Sequence, residues 1–345
     1  MSNLYEKYGA RKELESSLAL SGEPNQRAQQ LARFRERYPT RESLFPKADS
    51  YILVGGCSMT AGAEMLDWAG HGEYLQCEFS DSSWPERIRE ARHPDKTVFN
   101  TSLSGASNQH IARRMLYWLR KSRPTAAYVM WTSIQRIHFR NHNAIVGKNA
   151  RIGSNPSGNY CDQIWYPSST GGMILEAENP ENKGKNTAGH MRKNMIKESG
   201  GELEYKNVLN LFETLEHHQM QLKFLHDDLY WRDYLRQYCK AEGIPLYETS
   251  AWDHGDVWRL IMGQDFQNSW DDLWYKEKGK MDPYIDMMMH NEYKHTEKVF
   301  NVDGKQHRIG FVEWWGFKNG ECHPGSHPVA QAHTEWAEEW CKWLQ

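Results

Sequence analysis

Cysteine is scarce in this chain: six in 345 residues, at 57, 77, 161, 239, 322 and 341, with no C-x-x-C pair. That excludes a scaffold built on disulfides and points to a reducing, cytosolic site of synthesis, most of the thiols being small buried side chains. Long apolar runs are missing. No stretch reaches the ~18 residues that a membrane helix needs, so no membrane partner is expected. The first ten residues, Met1–Ala10, lack the basic-then-apolar pattern of a signal peptide. There is no basic surplus either: Lys and Arg number 42 against 45 Asp and Glu, for a net charge of −3. A protein that coats nucleic acid needs such a surplus, so none is expected as a partner. Repeats of 20–50 residues are absent. Aromatic residues, in contrast, make up 12% of the chain, with 15 tryptophans. That load argues against wholesale disorder, and the length allows one large domain or two.

Four short apolar runs organise the middle of the chain. Tyr51-Ile-Leu-Val-Gly55 reads as a buried strand and Thr97-Val-Phe-Asn100 as a second. Ala126–Thr132 reads as a third and Ile244–Glu248 as a fourth. Between them, Trp84–Arg92 and Asn108–Leu119 have helical spacing, and Tyr205–Ala241 carries it over two segments. A last helix is expected over Pro328–Leu344, with Pro328 in its first turn. Strand–helix alternation of this kind implies a parallel sheet covered on both faces, with ligands at the carboxyl ends of its strands.

Two regions lie outside this alternation. Residues 1–48 read as an N-terminal helical extension, with a helix over Gln26–Tyr38 that carries Arg27, Arg33, Arg35 and Arg37 as a solvated face. Residues 140–200 are rich in Asn, Gly, Ser and Lys and read as an irregular insertion into a domain of 49–345. Trp252–Phe300 reads as helices and loops over the sheet edge.

Three constellations can carry chemistry. Gly55-Gly-Cys-Ser-Met-Thr-Ala-Gly62 follows the first strand directly. A tight strand-to-helix turn of this composition can expose the hydroxyl of Ser58 above the sheet. The spacing fits neither of the glycine-rich nucleotide patterns. Asn100-Thr-Ser-Leu-Ser-Gly-Ala-Ser-Asn108 follows the second strand; Gly105 can present a backbone amide and Asn108 a side-chain amide, or the loop is a helix cap. Near the C-terminus, His323 and His327 each precede a proline, ahead of His333. A histidine held rigidly before the final helix suits a general base.

In this order the three pieces resemble the SGNH/GDSL hydrolase family, in the variant form encoded by tailed bacteriophages. Gly56-Cys57-Ser58-Met59-Thr60 resembles the block with the nucleophile, Cys57 standing where Asp is usual. Val98–Gly105 resembles the second block, and His327-Pro-Val-Ala-Gln-Ala-His-Thr-Glu-Trp-Ala337 the last. The resemblance covers roughly 50–140 and 240–345. It implies a three-layer α/β/α, flavodoxin-like sandwich with a central parallel sheet. It further implies a serine ester hydrolase that works through an acyl-enzyme and needs no cofactor or metal. Ser58 would be the nucleophile, His327 the base with His323 as the alternative, and Ser58, Gly105 and Asn108 the oxyanion donors. Expected substrates are small esters or acylated glycans, O-acetylated ones in particular, in the host cytoplasm or on a virion.

The chain departs from the family pattern in two places. Pro324 stands three residues before His327, and Gly320 three before His323, where the family has the Asp that orients the base; the nearest carboxylate is Glu321. After the third strand comes Trp131-Thr-Ser-Ile-Gln-Arg136, without the family's Asn; Asn108, Ser133 or Gln135 would have to substitute. A second reading therefore stands beside the first: a catalytically degraded member of the fold, serving as a structural or binding protein with a virion or host-takeover partner.

Further residues allow two readings each. His217-His218, His226-Asp-Asp228 and His254-Gly-Asp256 lack paired metal-site spacing and read as surface polar groups. Trp252, Trp258, Trp270, Trp274, Trp314 and Trp315 either line a carbohydrate cleft or fill the core.

Overall fold

The structure is a computed structural model. It describes residues 47–63, 65, 67–68, 79–103, 106–132, 137–140, 162–165, 218–251, 299–302, 305–308, 310–318, 320–322 and 327–344, together with Ala32 and Glu36. In chain order its elements are β1 (Tyr51–Gly55), α1 (Ser58–Ala61), α2 (Trp84–Arg92), β2 (Thr97–Asn100), α3 (Asn108–Leu119), β3 (Ala126–Trp131), β4 (Ile137–Arg140) and β5 (Asp162–Trp165). They continue with α4 (His218–Ala241), β6 (Leu246–Ser250), β7 (Val299–Val302), β8 (Lys305–Arg308), α5 (Phe311–Phe317) and α6 (Ala330–Trp343).

Four strands form one parallel sheet in the order β2-β1-β3-β6, an α/β arrangement. All residues of β1 and β3 are buried, as expected of central strands covered on both faces. The register puts Val54 beside Asn100 and Tyr128, and Tyr128 beside Tyr247, on one face. There α2 and α6 pack: Trp340 lies 4.9 Å from Trp84 and 5.7 Å from Tyr128, ring centre to ring centre. The opposite face carries α3 and α4. Trp118 meets Phe99 edge-on at 4.7 Å, and the Arg232 guanidinium sits 5.1 Å over the Trp131 ring. Two antiparallel pairs, β4 with β5 and β7 with β8, form separate hairpin-like ladders.

Several boundaries and environments differ from the sequence expectation. The fourth strand runs two residues later than Ile244–Glu248, because Glu248, Thr249 and Ser250 are buried against the third strand. The last helix begins at Ala330 rather than Pro328. Pro328 instead bridges antiparallel to Cys322, and the Val329 N–H donates to the Glu321 carbonyl at 3.4 Å, which requires extended backbone there. Asp228 is buried and paired with the fully buried Arg232 at 2.8 Å, so it is no surface group. Trp314 and Trp315 are buried in the core, where Trp314 lies 5.3 Å from Trp336. The other four tryptophans of that set, His217 and His254, and most of 1–48, 140–200 and 252–298 lie outside the described residues. Ala32 and Glu36 are helical and exposed. No described helix is long and apolar enough to cross a membrane.

Candidate active site

The carboxyl ends of β1, β2, β3 and β6 lie at one edge of the parallel sheet; the segments that follow β1 and β2 hold Ser58, Gly105 and Asn108, whereas His323 and His327 fall between α5 and α6. From β1 the chain turns through Gly56 and Cys57 into the single turn α1, which begins at Ser58. A Cβ at Gly56 would collide with the Thr60 side chain, so only glycine allows this turn to close. Gly62 ends α1 in the left-handed region, with φ of 68°, and its N–H donates to the Ser58 carbonyl. Ser58 is 6% exposed, and its hydroxyl makes no hydrogen bond to any described residue, His327 included. Cys57 is wholly buried and belongs to the hydrophobic core.

The loop after β2 is tied to this turn. The Thr101 N–H and hydroxyl both donate to the Val54 carbonyl at 2.8 Å, and the Leu103 N–H donates to the Gly56 carbonyl at 3.2 Å. Buried Asn100 donates from Nδ2 to the Thr60 carbonyl at 3.3 Å. Its Oδ1 accepts the Ser102 N–H at 3.0 Å and the Ser102 hydroxyl at 2.6 Å. Arg114, buried on α3, donates from Nε to the Thr101 carbonyl at 2.8 Å. Gly105 lies outside the described residues.

Asn108 opens α3 behind the Ser107 cap, whose hydroxyl accepts the His110 N–H. Its side chain pairs with the peptide of Thr132: Oδ1 accepts the Thr132 N–H at 2.7 Å, and Nδ2 donates to the Thr132 carbonyl at 2.8 Å. This leaves one Nδ2 hydrogen beyond the Thr132 pair. Ser133 and Gln135 lie outside the described residues.

The end of β6 is joined to the C-terminal segment. The Ala251 N–H donates to the Trp131 carbonyl at 2.7 Å, and the Val312 N–H to the Ala251 carbonyl at 2.9 Å. From α5 the chain is led back by Trp315, whose Nε1 donates to the Glu321 carbonyl at 2.7 Å, into the Cys322–Pro328 bridge. His327 immediately precedes that bridge and is half-buried. His323 lies outside the described residues. His333, almost fully buried, accepts the Trp84 N–H at Nδ1 over 3.2 Å, which puts its proton on Nε2 and makes it a structural tie between the two helices, α6 and α2.

One support touches both the Ser58 turn and the last helix. A Cβ at Gly62 would lie 2.7 Å from the Cβ of Ser80 and 3.0 Å from that of Ser83, so α1 abuts the start of α2. The same start is held to the last helix by His333. Asp67 fastens the approach to α2 by accepting from the hydroxyls of Ser80 and Ser82 and from the Ser82 N–H.

Sequence reasoning missed the buried ionic cluster beneath this edge. The Glu248 carboxylate accepts from Trp131 Nε1 at 2.7 Å and from Arg236 at 2.7 and 2.9 Å. The available signal was an arginine pair at 232 and 236, one helical turn apart, just before a strand containing a carboxylate. Among the described residues no group of three His, Cys, Asp or Glu is placed to hold a metal ion. A groove of about 580 Å³ lies between α2 and α6, lined by Arg87, Glu90, Thr334, Ala337, Glu338 and Cys341 among others, none from the strand-end loops. Comparison with protein-family models, with curated proteins and with solved structures returned no match.

Proposed function

We propose that this chain is a serine-dependent ester hydrolase of SGNH type, with a flavodoxin-like sandwich. The sheet order supports it, being the first four places of the 2-1-3-4-5 order of that fold. The observation that carries it is Ser58: a hydroxyl unpaired among the described residues, on a glycine-dependent turn at the carboxyl end of a central strand, with the second loop bound to that turn.

In this scheme His327, or His323 in its place, takes the Ser58 proton while Oγ attacks the ester carbonyl carbon. The negative charge on the carbonyl oxygen is met by the amides of Ser58 and Gly105, while Asn108, wholly buried and paired with the Thr132 peptide, stays out of reach of the substrate. The tetrahedral adduct collapses, the C–O bond to the alcohol breaks, and the histidine gives its proton to the leaving alkoxide. Water then attacks the acyl-enzyme by the same route and releases the acid and free Ser58. The substrate class is a small ester or an acylated glycan, and the natural setting a phage-infected host or a virion.

A second reading, a binding or assembly protein on a degraded hydrolase fold, is favoured by one observation: no hydrogen bond joins Ser58 to His327. Labelling with a fluorophosphonate probe separates the two. The hydrolase reading expects wild type to label, Ser58→Ala to lose labelling, and only one of His327→Ala and His323→Ala to reduce it. Folded wild type that does not label supports the binding protein instead.

A further inference from the structure

We propose that Asn100 is a positioning residue that locks the Ser58 turn and residues 101–103 of the second loop into one mechanical unit. Asn100 is the last residue of β2 and lies 2% exposed, yet its side chain serves neither strand ladder nor core. Each end of its amide is given to a different loop. Nδ2 holds the Thr60 carbonyl, within the helical turn that Ser58 begins. Oδ1 holds Ser102 twice, through backbone and hydroxyl, at the start of the second loop. The Ser102 N–H and the Thr60 carbonyl fix which end of the amide faces which loop, because an inverted amide would set N–H against N–H and oxygen against oxygen. The Leu103 N–H then closes the link by donating to the Gly56 carbonyl.

The arrangement has a chemical purpose under the ester-hydrolase reading, on which this part rests. Nucleophile and oxyanion donors must keep a fixed separation, and here they come from loops on two strands. A single buried amide spanning both loops holds that separation independently of solvent. Asn100 touches no substrate in this scheme; it acts through the peptides of Thr60, Ser102 and Leu103.

The test uses the full chain and two readouts. In native-state hydrogen exchange of wild type, the amides of Gly62, Ala63 and Leu103 should open together, with one protection level and one denaturant dependence. In Asn100→Asp, which keeps the acceptor for Ser102 but loses the donor to Thr60, Leu103 and residues 60–63 should exchange faster while Ser102 stays protected. Asn100→Ala should release both loops. Separate opening of the two loops in wild type overturns the proposal, and so does release confined to 100–103 in Asn100→Ala; neither result depends on catalysis. The second readout is fluorophosphonate labelling of the folded variants. The labelling rate constant should fall about 10- to 100-fold, with probe binding little changed. Wild-type rate constants in variants that merely melt earlier would reduce Asn100 to a structural residue. A wild type that fails to label removes the hydrolase reading, while the exchange data still decide whether Asn100 couples the loops.

Discussion

His333 and Trp84 are joined across 249 positions of sequence, the imidazole Nδ1 of one accepting the backbone N–H of the other. The bond caps the first turn of α2 with a side chain from α6, at the place where α1 abuts the same turn. Removing the acceptor leaves a buried N–H unpaired, which costs about 1–3 kcal/mol. His333→Leu should therefore lower stability by that amount in urea unfolding, and His333→Asn, which retains an acceptor, by less. Equal losses in the two variants would mean that packing against Phe311, 4.9 Å away, dominates.

Glu248 and Arg236 form a buried ion pair on the sheet's α4 face, with side chains 4% and 10% exposed. Breaking such a pair from one side strands a charge and costs about 3–5 kcal/mol, whereas replacing both partners with apolar residues is far cheaper. Glu248→Met and Arg236→Met should each destabilise strongly, and the double variant less than their sum. Guanidinium unfolding of the four proteins gives the coupling; additive losses would refute it.

His93 shares a 2.8 Å hydrogen bond with the hydroxyl of buried Tyr128. Burial, with help from Arg92 and Lys96 and against Asp95, holds its imidazole below the ordinary value of 6.5. The sign follows: the unfolded chain binds this proton at a higher pH than the folded one, so stability is full above 6.5 and is lost as pH falls below it. His93→Gln should flatten the stability profile below pH 6.5. A profile with unchanged slope would assign the acid sensitivity to other groups.

Gly56 is irreplaceable on steric grounds, since any Cβ there meets Thr60. Forcing a methyl group into such a site costs about 1–3 kcal/mol. Gly56→Ala should lower the melting temperature and, by moving the turn, slow Ser58 labelling in the folded fraction. Unchanged labelling would show that Ser58 tolerates displacement and is no precisely held nucleophile.

The strands and helices from 51 to 119 were legible because each is bounded by local signals: continuous apolar runs, Pro85 in a first turn, a serine cap before Asn108. The later elements were less so, for tertiary reasons. Glu248 looks like the end of a strand until Arg236 and Trp131 are seen to neutralise it. Pro328 looks like a helix opener until the Cys322 bridge draws it out straight. At the candidate site, the glycine-dependent turn after the first strand was readable from composition and order. The double attachment of Asn100 was not, since a polar residue closing a short strand gives no hint of which loops it will hold.

The Asn108 amide does for Thr132 what a neighbouring strand would do, supplying one donor and one acceptor to a peptide just beyond the last rung of β3. The sheet is thereby hemmed by a helix-borne side chain at the point where the chain departs on its way to α4. A hemmed edge does not fray when the cloth beyond it is cut or lengthened. The end of β3 is thus held by the start of α3, through one amide that serves both polar groups of the Thr132 peptide. Asn108→Ala should lower the melting temperature by leaving both polar groups of the Thr132 peptide unpaired, and Asn108→Asp, which keeps only the acceptor, should lower it less.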